Sequence, residues 1–183
     1  MRDVQATGDA PLTEPRTGDG PQRPRRRLTV AVTALLVFGA DLATKTWIVH
    51  AYGDGHVTTV IPGVLDIEEG RNAGAAFGIA TGSTIIFTVI ALAVAIAIVR
   101  IAARLRSRSW AIALGLLLGG AVGNLGDRIF RSPAVFRGHV VDWIYLHHWP
   151  VFNIADSGVV IGGILAALLV VQGIRFDGSR DPS

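Results

Sequence analysis

The chain contains no cysteine. That absence removes disulfides, thiol nucleophiles, iron–sulfur clusters and Cys-ligated zinc together. Charge is scarce as well: 17% of the residues are Asp, Glu, Lys or Arg, and the net charge of +3 gives no basis for a nucleic-acid partner. There is no HExxH helix for a zinc hydrolase and no GxSxG elbow to expose a serine, and GGAVGN at 119–124 lacks the GK[ST] ending of a phosphate-binding loop. What is abundant is apolar. Half of the 183 residues are hydrophobic and the mean hydropathy is +0.47, too apolar for a soluble domain of this size, so the chain reads as an integral membrane protein.

Four apolar stretches, residues 28–49, 83–101, 110–125 and 154–171, read as membrane spans. A span needs roughly 17 to 25 residues, so the short third one is expected to begin a turn earlier, within 105–109, where arginines can snorkel. Residues 1–27, rich in Pro, Gly and charge, read as a disordered basic cytoplasmic tail, 28–172 as the membrane domain, and 173–183 as a short cytoplasmic C-terminal tail. The first span runs into the polar DLATK segment without a small-residue cleavage site and is therefore read as an uncleaved helix.

Arginine placement orients these spans. Arg2, Arg16, Arg23, Arg25, Arg26 and Arg27 precede the first, Arg100, Arg104, Arg106 and Arg108 join the second to the third, and Arg175 and Arg180 follow the fourth. Only Arg71, Arg128, Arg131 and Arg137 fall on the other side, so both termini are expected in the cytoplasm. The polar clusters then share the outer side: Asp41 with Lys45, Asn72, Asn124 through Arg128, and Asn153 with Asp156. Between them, HVTTV and VLDIEE flank a Pro62-Gly63 turn and predict a small β element on the outer membrane surface. The expected fold class is thus an all-α membrane protein with four transmembrane helices and that one β element.

Asp142 and Asp156 stand out because each is set into apolar sequence, where an unpaired carboxylate costs several kcal/mol. Brought together, two such groups share one proton, and one acts as acid while the other acts as base. Apolar flanks favour Asp142 as the proton carrier, and a helix N-terminus favours ionised Asp156 as the base that activates water. Plainer readings exist for the neighbours. Asp41 and Lys45 are spaced to neutralise each other along one helix, Asp127 and Arg128 can be solvated charge at a helix end, and Asn153 with Asp156 fits a helix cap. Asn72, within RNAGAAFG at 71–78, is as readily a helix N-cap as a ligand for an extended peptide. His147 and His148 read as interfacial, and glycines at 115, 119, 123, 158 and 162 read as close-packing ridges that would draw Asn124 and Asp127 toward Asp156. Asp127 thereby competes with Asp142 for a place in the dyad. A small carrier with a buried proton relay is the rival class, but the second span has no ionisable residue from Ser83 to Val99 and the fourth has none between Asp156 and Arg175.

DLATK (41–45), NAGAAF (72–77), GGAVGNLGDR (119–128), VVDW (140–143) and FNIAD (152–156) resemble, in order and spacing, the motifs of lipoprotein signal peptidases, the bacterial signal peptidase II family. The resemblance implies an aspartic endopeptidase of the cytoplasmic membrane, active on the outer face, that removes signal peptides from diacylglyceryl-modified prolipoproteins just before the lipidated cysteine. By likeness, Asp142 and Asp156 match the catalytic pair, and Asn72, Arg128 and Asn153 match residues that hold the substrate main chain or the antibiotic globomycin. Asp41, Lys45, Gly74, Asn124, Asp127 and Ala155 match supporting positions. No metal, cofactor or nucleic acid is implied, membrane lipids surround the protein, and a monomer is expected. The tail before residue 28 is longer than the family core needs, and the connection from Asp142 to Asn153 is short beside other members.

Overall fold

The computed structural model describes residues 25–74 and 83–180. The tail up to residue 24 and residues 75–78 of the RNAGAAFG segment lie outside the described residues. Four helices, α1 (Arg27–Tyr52), α2 (Ser83–Ala102), α3 (Arg108–Phe130) and α4 (Ile154–Val171), are long and apolar enough to cross a membrane. Three strands, β1 (Thr58–Ile61), β2 (Leu65–Asn72) and β3 (Val140–Leu146), form one antiparallel sheet in the order β1-β2-β3.

The helices bury narrow stripes and leave the rest for lipid. In α1 the buried residues are Val30, Ala34, Asp41, Lys45, Ile48 and Tyr52, one face at helical spacing, while Leu28, Leu35 and Leu36 are at least 66% exposed. A soluble helix would not leave that much apolar surface uncovered. Central α3 packs against α1, α2 and α4. It begins at Arg108, where the Ser107 side chain caps the Trp110 N–H, and continues to Phe130, so the apparently short third span is lengthened at both ends. Helical hydrogen bonding carries the polar segment 124–128 inside the helix, whereas hydropathy alone ends the span where that segment begins.

Glycine sets how closely α3 meets its neighbours. A Cβ on Gly120 would lie 2.3 Å from the Ala155 carbonyl oxygen of α4, and one on Gly123 would lie 2.6 Å from Asp41 Oδ2 of α1. With no side chain at either position, polar groups of three helices come within hydrogen-bond reach.

The β1–β2 hairpin turns where the Pro62-Gly63 pair predicts, but the third strand is not evident from the sequence. Residues 140–146 are apolar without alternation, and they pair with β2 so that Gly70 faces Asp142 and Asn72 faces Val140. Val141, fully buried, packs with Ile48 and Tyr52 at the end of α1 and fastens the sheet to the helices. Asn72 is therefore the last residue of a strand, paired with Val140, and its reading as a helix N-cap is overturned. At the opposite end of the molecule, Trp110 donates its indole N–H to the Ile174 carbonyl at 2.7 Å, and Phe176 packs edge-on against it, tying the C-terminal segment to the start of α3.

Candidate active site

Two elements supply the two aspartates. Asp142 comes from β3, Asp156 from the first turn of α4, and between them stands Asn153, the N-cap of α4. The capping box is complete: Asn153 Oδ1 accepts the Asp156 N–H at 2.8 Å, and the Asn153 N–H donates to Asp156 Oδ2 at 3.2 Å. Because a main-chain N–H can only donate, the cap fixes the orientation of the Asn153 amide. Its NH2 must then point the other way, and it donates to Asp142 Oδ1 at 2.6 Å. Capping thus explains Asn153 and also couples it to the second carboxylate.

Two further asparagines obey the same logic. Asn72 Oδ1 accepts the Gly74 N–H at 2.8 Å, so its NH2 faces Asp142 Oδ2 at 2.9 Å. Asn124 Oδ1 accepts from Lys45 Nζ at 3.0 Å, so its NH2 faces Asp156 Oδ1 at 2.7 Å. Each amide is held by a group that can only donate, and each presents its own donors to a carboxylate.

Behind this layer lies a buried charge cluster. Lys45 and Asp41 are both 1% exposed and meet at 2.7 Å, as their spacing predicts. Lys45 also lies 2.9 Å from Asp127 Oδ2, so with Asn124 its three N–H groups have three acceptors. Asp127 receives the Val141 N–H at 3.1 Å and pairs with Arg131. The solvated-charge reading of Asp127 is therefore wrong: it is 5% exposed. Packing draws Asn124 to Asp156, as expected from the glycine ridge, but turns Asp127 toward Lys45. Asp41 Oδ1 accepts the Ala155 N–H at 2.9 Å, anchoring the first turn of α4 to α1.

The aspartates differ in environment. Asp142 is 3% exposed, and burial pushes its carboxyl up to about 6, helped by the nearby negative charge of Asp156 and opposed by hydrogen bonds from Asn72 and Asn153. Asp156 is half-buried and sits at a helix N-terminus, where an anion is favoured. Arg128 donates to the Asn124 carbonyl at 3.3 Å and lies 5.9 Å from the centre of the Phe87 ring, with its charge facing Asp156 and Asp142. Its buried Nε has no partner among the described residues.

A cavity of about 680 Å³ opens onto Asp142 and is lined by Asn72, Tyr145, His148, Trp149, Pro150 and Val151 among others. The last five were not assigned to the site from the sequence; aromatic side chains beside a proline were the only signal. His147 turns away, with Nε2 2.7 Å from Asp66 Oδ2. Gly74 carries φ +93°, a conformation rarely open to other residues, and its N–H donates the hydrogen bond that orients Asn72.

The protein-family model described as signal peptidase (SPase) II matches residues 33–172. A lipoprotein signal peptidase of Rhodococcus jostii (strain RHA1) is 46% identical over 167 residues, covering 90% of this chain and 84% of that protein. One from Streptomyces coelicolor (strain ATCC BAA-471 / A3(2) / M145) is 50% identical over 162 residues, covering 87% and 79%. A solved bacterial membrane enzyme superposes with a TM-score of 0.72 at 32% identity, over 84% of this chain and 99% of that one. Four membrane-length helices, a small outlying sheet and a match across most of the sequence agree: the chain is a multi-pass membrane protein that belongs to the signal peptidase II family of proteases.

Proposed function

We propose that this chain is an aspartic endopeptidase that removes signal peptides from diacylglyceryl-modified prolipoproteins, cutting just before the lipidated cysteine. The observation that carries the reading is Asn153, which binds both Asp142 and Asp156 and so holds two carboxylates at one site beside an open cavity. Half-buried Asp156 takes a proton from water as the water oxygen bonds to the scissile carbonyl carbon. Asp142, whose carboxyl burial pushes up to about 6, donates its proton to the amine nitrogen as the C–N bond breaks. The proton left on Asp156 restores a dyad holding one proton.

Asn72, Arg128 and Asn153 hold the substrate main chain, or globomycin-like inhibitors in its place, while Asp41, Lys45, Gly74, Asn124, Asp127 and Ala155 support the dyad. Acyl burial worth about 0.8 kcal/mol per CH2 fixes the depth of the scissile bond, and no cofactor is required. The protein works as a monomer in the bacterial cytoplasmic membrane, with both termini inside and the dyad on the outer face. Residues 28–172 form the peptidase domain between cytoplasmic tails at 1–27 and 173–183. Purified protein is expected to cleave a diacylated prolipoprotein peptide with globomycin sensitivity, and Asp142→Asn or Asp156→Asn is expected to abolish cleavage. Full cleavage by both variants would refute the aspartic mechanism.

A further inference from the structure

Away from the aspartates, an extended crevice runs where α1 and α2 each lean on α3. It comprises three confluent cavities of about 350, 700 and 490 Å³; the first two share Ala31, Val99 and Leu118, and the second and third share Phe38 and Val122. Small residues make the room, with Ala31, Ala34, Ala95 and Gly119 along the middle section. The walls there are apolar, Phe38 included, up to the arginine-rich end of the bundle, where Arg100 lines the middle cavity and Arg27 the adjoining one. Arg27 Nη2 donates to the Ala103 carbonyl at 3.1 Å, which steadies its guanidinium there. Among the described residues, neither arginine has a carboxylate partner.

An apolar crevice with an arginine on each of two adjoining cavities at one end has the charge and polarity of a phospholipid's complement: hydrocarbon in the slot, phosphate at the arginine end. We propose that this crevice binds one anionic phospholipid of the leaflet at the arginine-rich end, with an acyl chain along Ala31, Ala95 and Gly119 and the phosphate held by Arg27 and Arg100. The competing occupant is the apolar helix of a signal peptide. Signal peptides carry a basic leading segment, which would meet these arginines with like charge, whereas a phosphodiester meets them with opposite charge. The far cavity of the crevice reaches Asp41, Lys45 and Asp127, but the lipid site proposed here lies at the arginine-rich end and does not depend on the peptidase mechanism.

Native mass spectrometry of the full-length protein tests it, with dioleoyl phosphatidylglycerol and dioleoyl phosphatidylcholine as separate probes. The wild type is expected to retain one phosphatidylglycerol in preference to phosphatidylcholine. The double variant Arg27→Gln/Arg100→Gln should weaken phosphatidylglycerol retention by about tenfold or more, from the per-residue attraction of basic side chains to anionic lipid. Ala31→Phe, which fills the slot from an exposed position, should reduce retention of both lipids. Arg25→Gln/Arg104→Gln removes equal charge away from the crevice lining and should stay within about twofold of wild type, and melting temperatures verify that each variant is folded. Equal retention of the two lipids by the wild type, unchanged retention in the double variant, or an equal loss in the charge-matched control would overturn the proposal. So would unchanged phosphatidylglycerol retention in Ala31→Phe together with lost cleavage of the diacylated peptide, which would assign the crevice to the substrate's helix.

Discussion

Lys45 donates to Asn124 Oδ1 at 3.0 Å, and since an ammonium group can only donate, this contact turns the Asn124 NH2 toward Asp156, 2.7 Å away. A charge with no direct hydrogen bond to Asp156 thus orients the donor that holds it. Asn124→Asp should keep the contact to Lys45 while placing a carboxylate oxygen against Asp156. Cleavage is expected to fall on the order of 10²-fold or more through lost positioning, with the melting temperature close to wild type. Asn153→Ser offers a parallel case, since serine can cap α4 but cannot reach Asp142 with an NH2. Stability should change by no more than about 1 kcal/mol, while kcat falls. A drop in stability as large as that of a core deletion, with kcat intact, would show that Asn153 acts only as a cap.

Asp127 and Asp142 can be separated by how they fail. Asp127 is clamped between Lys45 and Arg131, so Asp127→Asn removes one of the two carboxylates on buried Lys45 and the partner of Arg131, at a cost of up to about 3 kcal/mol. Folded Asp127→Asn protein is expected to retain measurable cleavage. Asp142→Asn should instead abolish cleavage in a protein that still folds. If Asp127→Asn eliminated cleavage in folded protein while Asp142→Asn retained it, Asp127 would replace Asp142 in the dyad.

The raised Asp142 carboxyl, about 6 against an ordinary 3.8, gives a signed pH dependence. The folded protein holds this proton more tightly than the unfolded chain does, so its stabilising contribution is complete below about pH 3.8 and is lost as pH rises through about 6. The stability of Asp142→Asn relative to wild type should therefore grow over that window, by about 2 to 3 kcal/mol. In kcat/KM the same proton should appear as a basic limb, with activity falling as pH rises past roughly 6. That limb belongs to the coupled pair. Denaturant titrations and initial rates across pH 4 to about 8 check both statements.

Gly120 touches the Ala155 carbonyl so closely that an added Cβ would lie at 2.3 Å, whereas a Cβ on Gly163 meets nothing within 4 Å. Gly120→Ala should destabilise by about 1 to 3 kcal/mol and lower cleavage by displacing the first turn of α4. Gly163→Ala should be neutral or stabilising by up to about 1 kcal/mol. Equal effects at the two positions would mean that the α3–α4 approach does not depend on Gly120.

Much of this was legible in the sequence for simple physical reasons. A membrane helix must satisfy its backbone internally and face lipid with apolar side chains, so the spans are written as hydropathy, and the fourth is found at the residues expected, Ile154–Val171. A pairing four residues apart needs only helical geometry, so Asp41 with Lys45 could be read directly. The cap at Asn153 was local in the same way.

What no local pattern contains is the meeting of distant elements. Residues 140–146 become a strand only because β2 is there to pair with, and that pairing turns Asn72 from a candidate helix cap into a donor to Asp142. Asp127 resembles surface charge until α1 supplies Lys45 across a glycine seam. The residue types and their order determined the four spans and the family, because hydropathy and motif spacing are properties of the chain itself. Which carboxylate pairs with which, and which way each asparagine turns, was decided by tertiary contact, because a hydrogen bond depends on distances that only the assembled helices and sheet establish.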